Sequence, residues 1–233
     1  MIAENLNHLK DRIALKCAEC KRDPGGIRLV AVSKLFGTDA IEEANKLGVT
    51  DFGENKAQEL RDKYEILGDK VTWHFIGTLQ RNKVKYAVKA ASYIHSVDSS
   101  ILADEINKEA KKIEKIQKIL LEVNTSFEES KSGLKDRTEI MKLVKHCSTL
   151  SNINLVGLMT MAPYTDAEKI IRKSFIDLRK LKDEINQNGF DLRELSMGMT
   201  NDYEIAIEEG ATMLRTGSAI FGQRNYKTDW RQS

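Results

Sequence analysis

RLVAVSK, residues 28–34, is a short β-rich run in which four consecutive apolar residues, Leu29 to Val32, lead to a serine and a lysine. A helical stretch follows, beginning near Thr38 with Asp39 in its first turn and stopping at Gly48. Together they make one βα unit. The same alternation recurs downstream: DFG with a helix from Asn55, WHFIG with a helix from Gln80, YIHSVD with a helix from Ser99, and QKILLEVN with a helix from Asp136. INLVGLMTM precedes a long helix from Asp166, ELSM a helix from Asn201, and TMLRTG a terminal helix or turn from Ser218, which brings the count to eight. Strands alternating with helices predict a parallel sheet, and eight such units fit a closed barrel better than an open doubly wound sheet. Strands buried on both faces are expected to be nearly continuous apolar runs, as LVAV and ILLEV are. Glu122 interrupts the second of these and is expected to face a polar barrel layer or to pair with a lysine, with no catalytic role.

Upstream of the repeat, Leu6, Leu9, Ile13, Ala14 and Cys17 recur at helical spacing from Ile2 to about Lys21, and Asp23, Pro24, Gly25 and Gly26 then stop the helix. The 233 residues suit one barrel domain, residues 1–233, with this extra N-terminal helix. A hydrophobic share of 41% and a charged share of 31% are those of an ordinary globular protein. The formal charge of +2 gives no electrostatic case for nucleic acid or an anionic membrane. No apolar run has the length needed to span a bilayer, and MIAENLNHLKDRI lacks the apolar block of a signal peptide, so a cytoplasmic location is expected. Cys17, Cys20 and Cys147 read as ordinary reduced thiols, because CAEC lacks the second ligand pair of a closed zinc site, and no metal is expected.

In a barrel of this kind the ends of the strands and the loops after them form the active face. Lys34, Gly53, Glu54, Asn55, Gly77, Asp98, Asn124, Met161, the SMGM run from Ser196 and RTGS from Arg215 all occupy such places. Lys34 is carried there by an apolar strand. A desolvated lysine is a nucleophile toward carbonyls, but its position alone does not separate a Schiff-base amine from a solvated lysine that starts a loop. The segments after strands seven and eight are where phosphate sites of α/β barrels commonly lie, and Ser196, Gly198, Thr200, Gly217 and Ser218 suit an anion. Helix capping by Thr200 or Ser218 explains part of the same pattern. Arg215 has only donors to offer: opposite a pyridine nitrogen it would leave that nitrogen unprotonated, and otherwise it is expected in a salt bridge to a glutamate such as Glu209.

VSK at 32–34, FGEN at 52–55, WHFIGTLQRNK at 73–83, HSVDS at 95–99, VNTSFEESKSG from Val123, GLMTMAP from Gly157, LSMGMTNDYEIAIEEG and MLRTGSAIFG resemble the pyridoxal phosphate homeostasis proteins, the YggS/PROSC family. The match runs from about Ile27 to Tyr226. The resemblance implies a fold like the N-terminal barrel of alanine racemase, with pyridoxal 5′-phosphate (PLP) bound as a Schiff base on Lys34. It places Ser196, Met197, Gly217 and Ser218 around the phosphate, Arg215 at the ring nitrogen and Asn55 beside the ring. Lys131, in ESKSG, falls where the family has been proposed to handle a second PLP. Alanine racemase carries a further β domain that supplies a tyrosine as second base, and the ten residues after Gln223 are too few to build one.

A PLP carrier with little or no turnover, active in vitamin B6 homeostasis, is therefore expected, with PLP-dependent apo-enzymes as candidate partners and a monomer or weak dimer as the working form. A PLP enzyme with weak amino-acid racemase-type activity is the alternative. A sugar-phosphate aldolase using Lys34 and a protein-binding module are the remaining function classes.

Overall fold

In the computed structural model, which describes residues 1–126, 132–223 and 230, the eight strands close on themselves in sequence order. They are β1 (Arg28–Val32), β2 (Asp51–Glu54), β3 (Thr72–Phe75), β4 (Tyr93–Val97), β5 (Gln117–Glu122), β6 (Ile153–Met159), β7 (Glu194–Ser196) and β8 (Met213–Thr216). Every pairing is parallel, and β1 closes the ring by pairing with β8 through Arg28–Met213 to Ala31–Thr216. The strands are short and buried because each has helices outside and packed side chains inside.

The helices between them are α2 (Thr38–Lys46), α3 (Ala57–Leu67), α4 (Val84–Ala90), α5 (Ser100–Lys112), α6 (Arg137–Ser148), α7 (Glu168–Gln187), α8 (Tyr203–Glu208) and the single turn α9 (Ser218–Phe221). The expected starts near Ser99 and Asp136 correspond to real caps: Ser99 accepts from the Leu102 amide and Asp136 from the Glu139 amide. After β3 the chain first makes a 3₁₀ turn, Arg81–Lys83, so α4 starts at Val84 rather than Gln80. The first helix, α1 (Ile2–Glu19), buries Leu6, Leu9, Ile13 and Cys17 and packs against α2, α8 and α9. Since α9 is a single turn, α1 completes the outer ring at that point. Asn5 donates to the Ile220 carbonyl, Lys16 pairs with Glu208, and Arg22 donates to the carbonyls of Ile207 and Ala211.

One apolar core lies between strands and helices, and a small one, Tyr93, Leu120, Met159 and Met213, is formed by strand residues alone. Among the described residues, no helix is long and apolar enough to cross a membrane, no cluster of metal-ligating side chains occurs, and the cysteines are free thiols.

Candidate functional site

A cavity of about 640 Å³ opens at the C-terminal ends of the strands. Its lining includes Lys34, Asn55, Met199, Thr200, Asn201, Arg215, Gly217 and Ser218, together with Met161 to Asp166 of the loop after β6. Five of the seven expected cofactor residues, Lys34, Asn55, Arg215, Gly217 and Ser218, thus meet around one space of the size that small-molecule sites have.

Lys34 sits half-buried in the turn that ends β1, and its neighbours on both sides are fastened to a buried ionic cluster. Lys63 of α3 donates to the Ser33 carbonyl at 2.9 Å and pairs with Glu54 and Glu59 at 2.8 Å each. The Ser33 hydroxyl donates to Glu54 at 2.7 Å, and the Leu35 amide donates to Glu59 at 2.8 Å. Leu35 is held at a φ of +69°, a left-handed conformation that costs a branched-chain residue energy and persists only where surrounding contacts enforce it. Phe36 then stacks on Phe221 at 4.9 Å. Burial pushes the Glu54 carboxyl above its usual range, with Lys63 pulling it down and Glu59 pushing it further up.

Asn55 is fixed from behind by Gly77: a Cβ there would lie 2.2 Å from the Asn55 carbonyl oxygen, so only glycine permits this approach. Gly198 is equally constrained, with a φ of +93° and the Ala206 methyl 2.6 Å from where its Cβ would be. The Ser218 and Thr200 hydroxyls are 3.2 Å apart, tying the loops after β7 and β8 together at the cavity. Neither hydroxyl caps a helix, since Asp202 and Gly217 hold those positions.

Arg215 is buried and points along the barrel rather than outward. Its Nη1 donates to the Ser196 hydroxyl at 2.6 Å and its Nη2 to the Thr160 carbonyl at 2.9 Å. The expected ion pair with Glu209 does not form, because Glu209 is held outside the barrel by Arg172 and Arg179 at 2.9 and 3.1 Å. Burial lowers the Arg215 guanidinium to about 10, with Asp202 and Glu122 opposing. Glu122 gains no lysine partner among the described residues: burial and then Asp98 raise it to about 7, against the pull of Arg215. The polar-layer expectation suits its place, and the lysine pairing is corrected.

Ser196 and Met197 are fully buried and do not line the cavity. The Ser196 hydroxyl is engaged by Arg215 at 2.6 Å and by His95 Nδ1 at 2.9 Å, so it supports the guanidinium from below. Met197 packs in the main core. Lys131 lies outside the described residues. The expectations had no place for Lys63 and Glu59, although Lys63 falls in the stripe Leu60, Lys63, Leu67 of an otherwise apolar helix face, which is a legible signal of a buried charge.

A family model for the alanine racemase N-terminal domain matches residues 2–225. The pyridoxal phosphate homeostasis protein of Aquifex aeolicus is 41% identical over 225 residues, covering 96% of this chain and 98% of that one. Its namesake from Haemophilus influenzae is 38% identical over 234 residues, covering 97% and 98%. Among solved structures, PipY of Synechococcus elongatus with PLP bound is 34% identical and superposes with a TM-score of 0.83, covering 95% of this chain and all of that one. Alanine racemase of Clostridium difficile, 14% identical with a TM-score of 0.74 over 95% of this chain and 62% of that one, shares the fold.

Proposed function

The chain belongs to the pyridoxal phosphate homeostasis protein family, and we propose that it binds PLP in the cavity at the barrel mouth, covalently through the Lys34 amine, and holds it with little or no turnover. The observation that carries this reading is the meeting of a half-buried lysine and a buried guanidinium, bonded to the Ser196 hydroxyl and the Thr160 carbonyl, at one cavity that Met199, Thr200, Asn201, Gly217 and Ser218 also line. That donor set fits an anionic phosphate ester bearing an aldehyde and a basic ring nitrogen. When bound, PLP supplies an aldehyde that amines attack and a ring that spreads negative charge from an adjacent carbon.

The protein's own groups divide the remaining tasks. Lys34 would hold the aldehyde end, its backbone fixed by the Ser33 and Leu35 contacts. Arg215 would meet the ring nitrogen with N–H donors only and withhold a proton from it, which weakens the ring as an electron sink and disfavours carbanion chemistry. Asn55 would flank the ring, and Thr200, Gly217 and Ser218 would take the phosphate end, with Ser196 and Met197 supporting from beneath. Tyr164 reaches the cavity at a rim position that is 95% exposed, where water would compete with any proton transfer. PLP-dependent apo-enzymes in the cytoplasm would be the recipients.

The experiment is an absorbance spectrum before and after borohydride reduction, with peptide mapping, for the wild-type protein and Lys34→Ala. A visible band that the variant lacks and a pyridoxyl group mapped to Lys34 are expected. A protein that stays colourless with added PLP overturns the reading, and steady conversion of an L- to a D-amino acid at about 1 s⁻¹ or faster would favour the racemase-type alternative.

A further inference from the structure

Beneath the cavity, buried side chains of β2, β3, β4, β7 and β8 form one unbroken line of hydrogen bonds. Arg215 Nη1 donates to Ser196 Oγ at 2.6 Å, and Ser196 Oγ is 2.9 Å from His95 Nδ1. His95 Nε2 is 2.9 Å from His74 Nδ1, and His74 Nε2 is 2.9 Å from Asp51 Oδ1. Since β4 and β7 are not neighbours in the ring, the bond from His95 to Ser196 crosses the barrel interior. At the far pole Asp51 is anchored by Arg28 at 2.8 Å and by the Thr50 hydroxyl at 2.6 Å.

The two ends fix the order of every proton between them. A guanidinium has no acceptor, so Ser196 accepts from Arg215 and keeps its own O–H proton to give to His95 Nδ1. The carboxylate of Asp51 has no proton to give: burial raises it, but bonds from His74, Thr50 and Arg28 hold it at about 2. His74 must therefore donate through Nε2 and accept at Nδ1, and His95 must do the same. Moving the proton to the other nitrogen of either ring would set two lone pairs or two N–H groups against each other. Burial lowers both rings from their ordinary value, against the pull of Asp51 on His74, and for His95 the neighbouring His74 and Arg215 act in the same sense as burial.

We propose that Asp51, His74, His95 and Ser196 form a positioning column for Arg215, with both histidines as neutral Nε2–H tautomers. The column fixes, from the opposite pole of the barrel, the plane in which the guanidinium presents its remaining N–H groups to the cavity. Nη1 on Ser196 and Nη2 on the Thr160 carbonyl set two points of that plane, and the interaction with a ring nitrogen depends on it. This inference rests on the assignment of the cavity to PLP.

Two measurements test it. In ¹⁵N-histidine-labelled wild-type protein without PLP, the buried rings of His74 and His95, distinguished from the other two by slow solvent exchange, are expected to be Nε2–H tautomers from about pH 6 to 8. An Nδ1–H tautomer or an imidazolium at either ring overturns the column. Secondly, PLP labelled with ¹⁵N in the ring is added to wild type, to His95→Leu, which removes the acceptor for Ser196, and to His95→Asn, whose amide oxygen restores an acceptor near the Nδ1 position. The leucine variant is expected to move the ring-nitrogen resonance and to weaken PLP about tenfold, and the asparagine variant to return toward wild type. A folded leucine variant with wild-type resonance and affinity overturns the proposal. If the leucine variant fails to fold, the histidine spectra decide together with His74→Phe, which keeps an aromatic ring against Tyr93 and breaks the line one step lower; wild-type behaviour there is also a refutation. A wild-type protein that takes up no PLP overturns the cavity's assignment and the column's task with it, while the histidine spectra still judge the proton order.

Discussion

Lys34 and Arg215 face the same cavity, yet the buried polar groups behind them are of opposite kinds. Behind Lys34 lies an ionic cluster, two carboxylates around one ammonium, in which Lys63 is completely enclosed and has the Trp230 ring 5.2 Å away. Behind Arg215 lies a line of neutral groups whose only formal charges are at its ends. A buried charge is costly to leave without its partner, whereas a neutral hydrogen-bonded line loses only the bonds at the break. The first arrangement therefore holds backbone, including the strained Leu35, and the second holds the orientation of one side chain.

The largest effect is expected from Lys63→Met. Removing the one ammonium leaves Glu54 and Glu59 buried without a counter-charge, and unfolding free energy measured in urea should fall by about 3–5 kcal/mol. A fall below about 1 kcal/mol would mean that the carboxyls carry protons in the native protein and that the cluster is less ionic than its distances imply. Gly77→Ala comes next, at about 1–3 kcal/mol, because the new methyl cannot avoid the Asn55 carbonyl. PLP uptake should fall with it, and unchanged uptake would show that the place of Asn55 is not critical.

Acid and base separate the two assemblies. Glu54 has a folded-state pKa raised above its unfolded value of 4.5, so its contribution is complete below that value and is lost as pH rises toward neutrality, with a slope of at most about 1.4 kcal/mol per pH unit. Asp51 behaves in the opposite sense: its contribution is complete above its unfolded value of 3.8 and is lost as pH falls toward about 2. Glu54→Gln should flatten the stability profile between about pH 4.5 and 7 and leave the acid limb unchanged, and Asp51→Asn should do the reverse. Equal effects of both variants on both limbs would erase the distinction. The smallest effect is expected at the exposed pair Arg193–Asp191, where Asp191→Asn should leave the melting temperature unchanged within error.

The barrel was legible in the sequence because short β-rich runs, LVAV and ILLEV the clearest of them, alternate with helical stretches; Ser99 and Asp136 even act as the caps their positions suggest. Lys34, Asn55, Arg215, Gly217 and Ser218 were legible as a set because strand ends converge on one face of a barrel. What a strand end does not reveal is whether its side chain stops at the cavity or turns down into the interior. Ser196 is the example: the hydroxyl at the end of β7 meets a guanidinium and an imidazole, and only closure of the ring, which lets β4 reach β7 across the interior, reveals it. His74 and His95 were unreadable for a related reason, since WHF and IHS look like ordinary strand residues until the ring lines up Asp51, His74 and His95 on adjacent strands and carries that line across the interior to Ser196.

The packing of α1 against α8 and α9 has a kinetic side. Helix α1 is bonded to Glu204, Glu208 and Ile220 at separations of 192 and 215 positions along the chain. Contacts so distant along the chain close late, because the loop entropy must be met before the contact can reward it. During synthesis Leu6, Leu9 and Ile13 wait exposed on an amphipathic face, a natural point of hold-up for a nascent chain. Docking of α1 is then the event that completes the helix ring, so a destabilised α1 should slow the last phase of refolding more than the first.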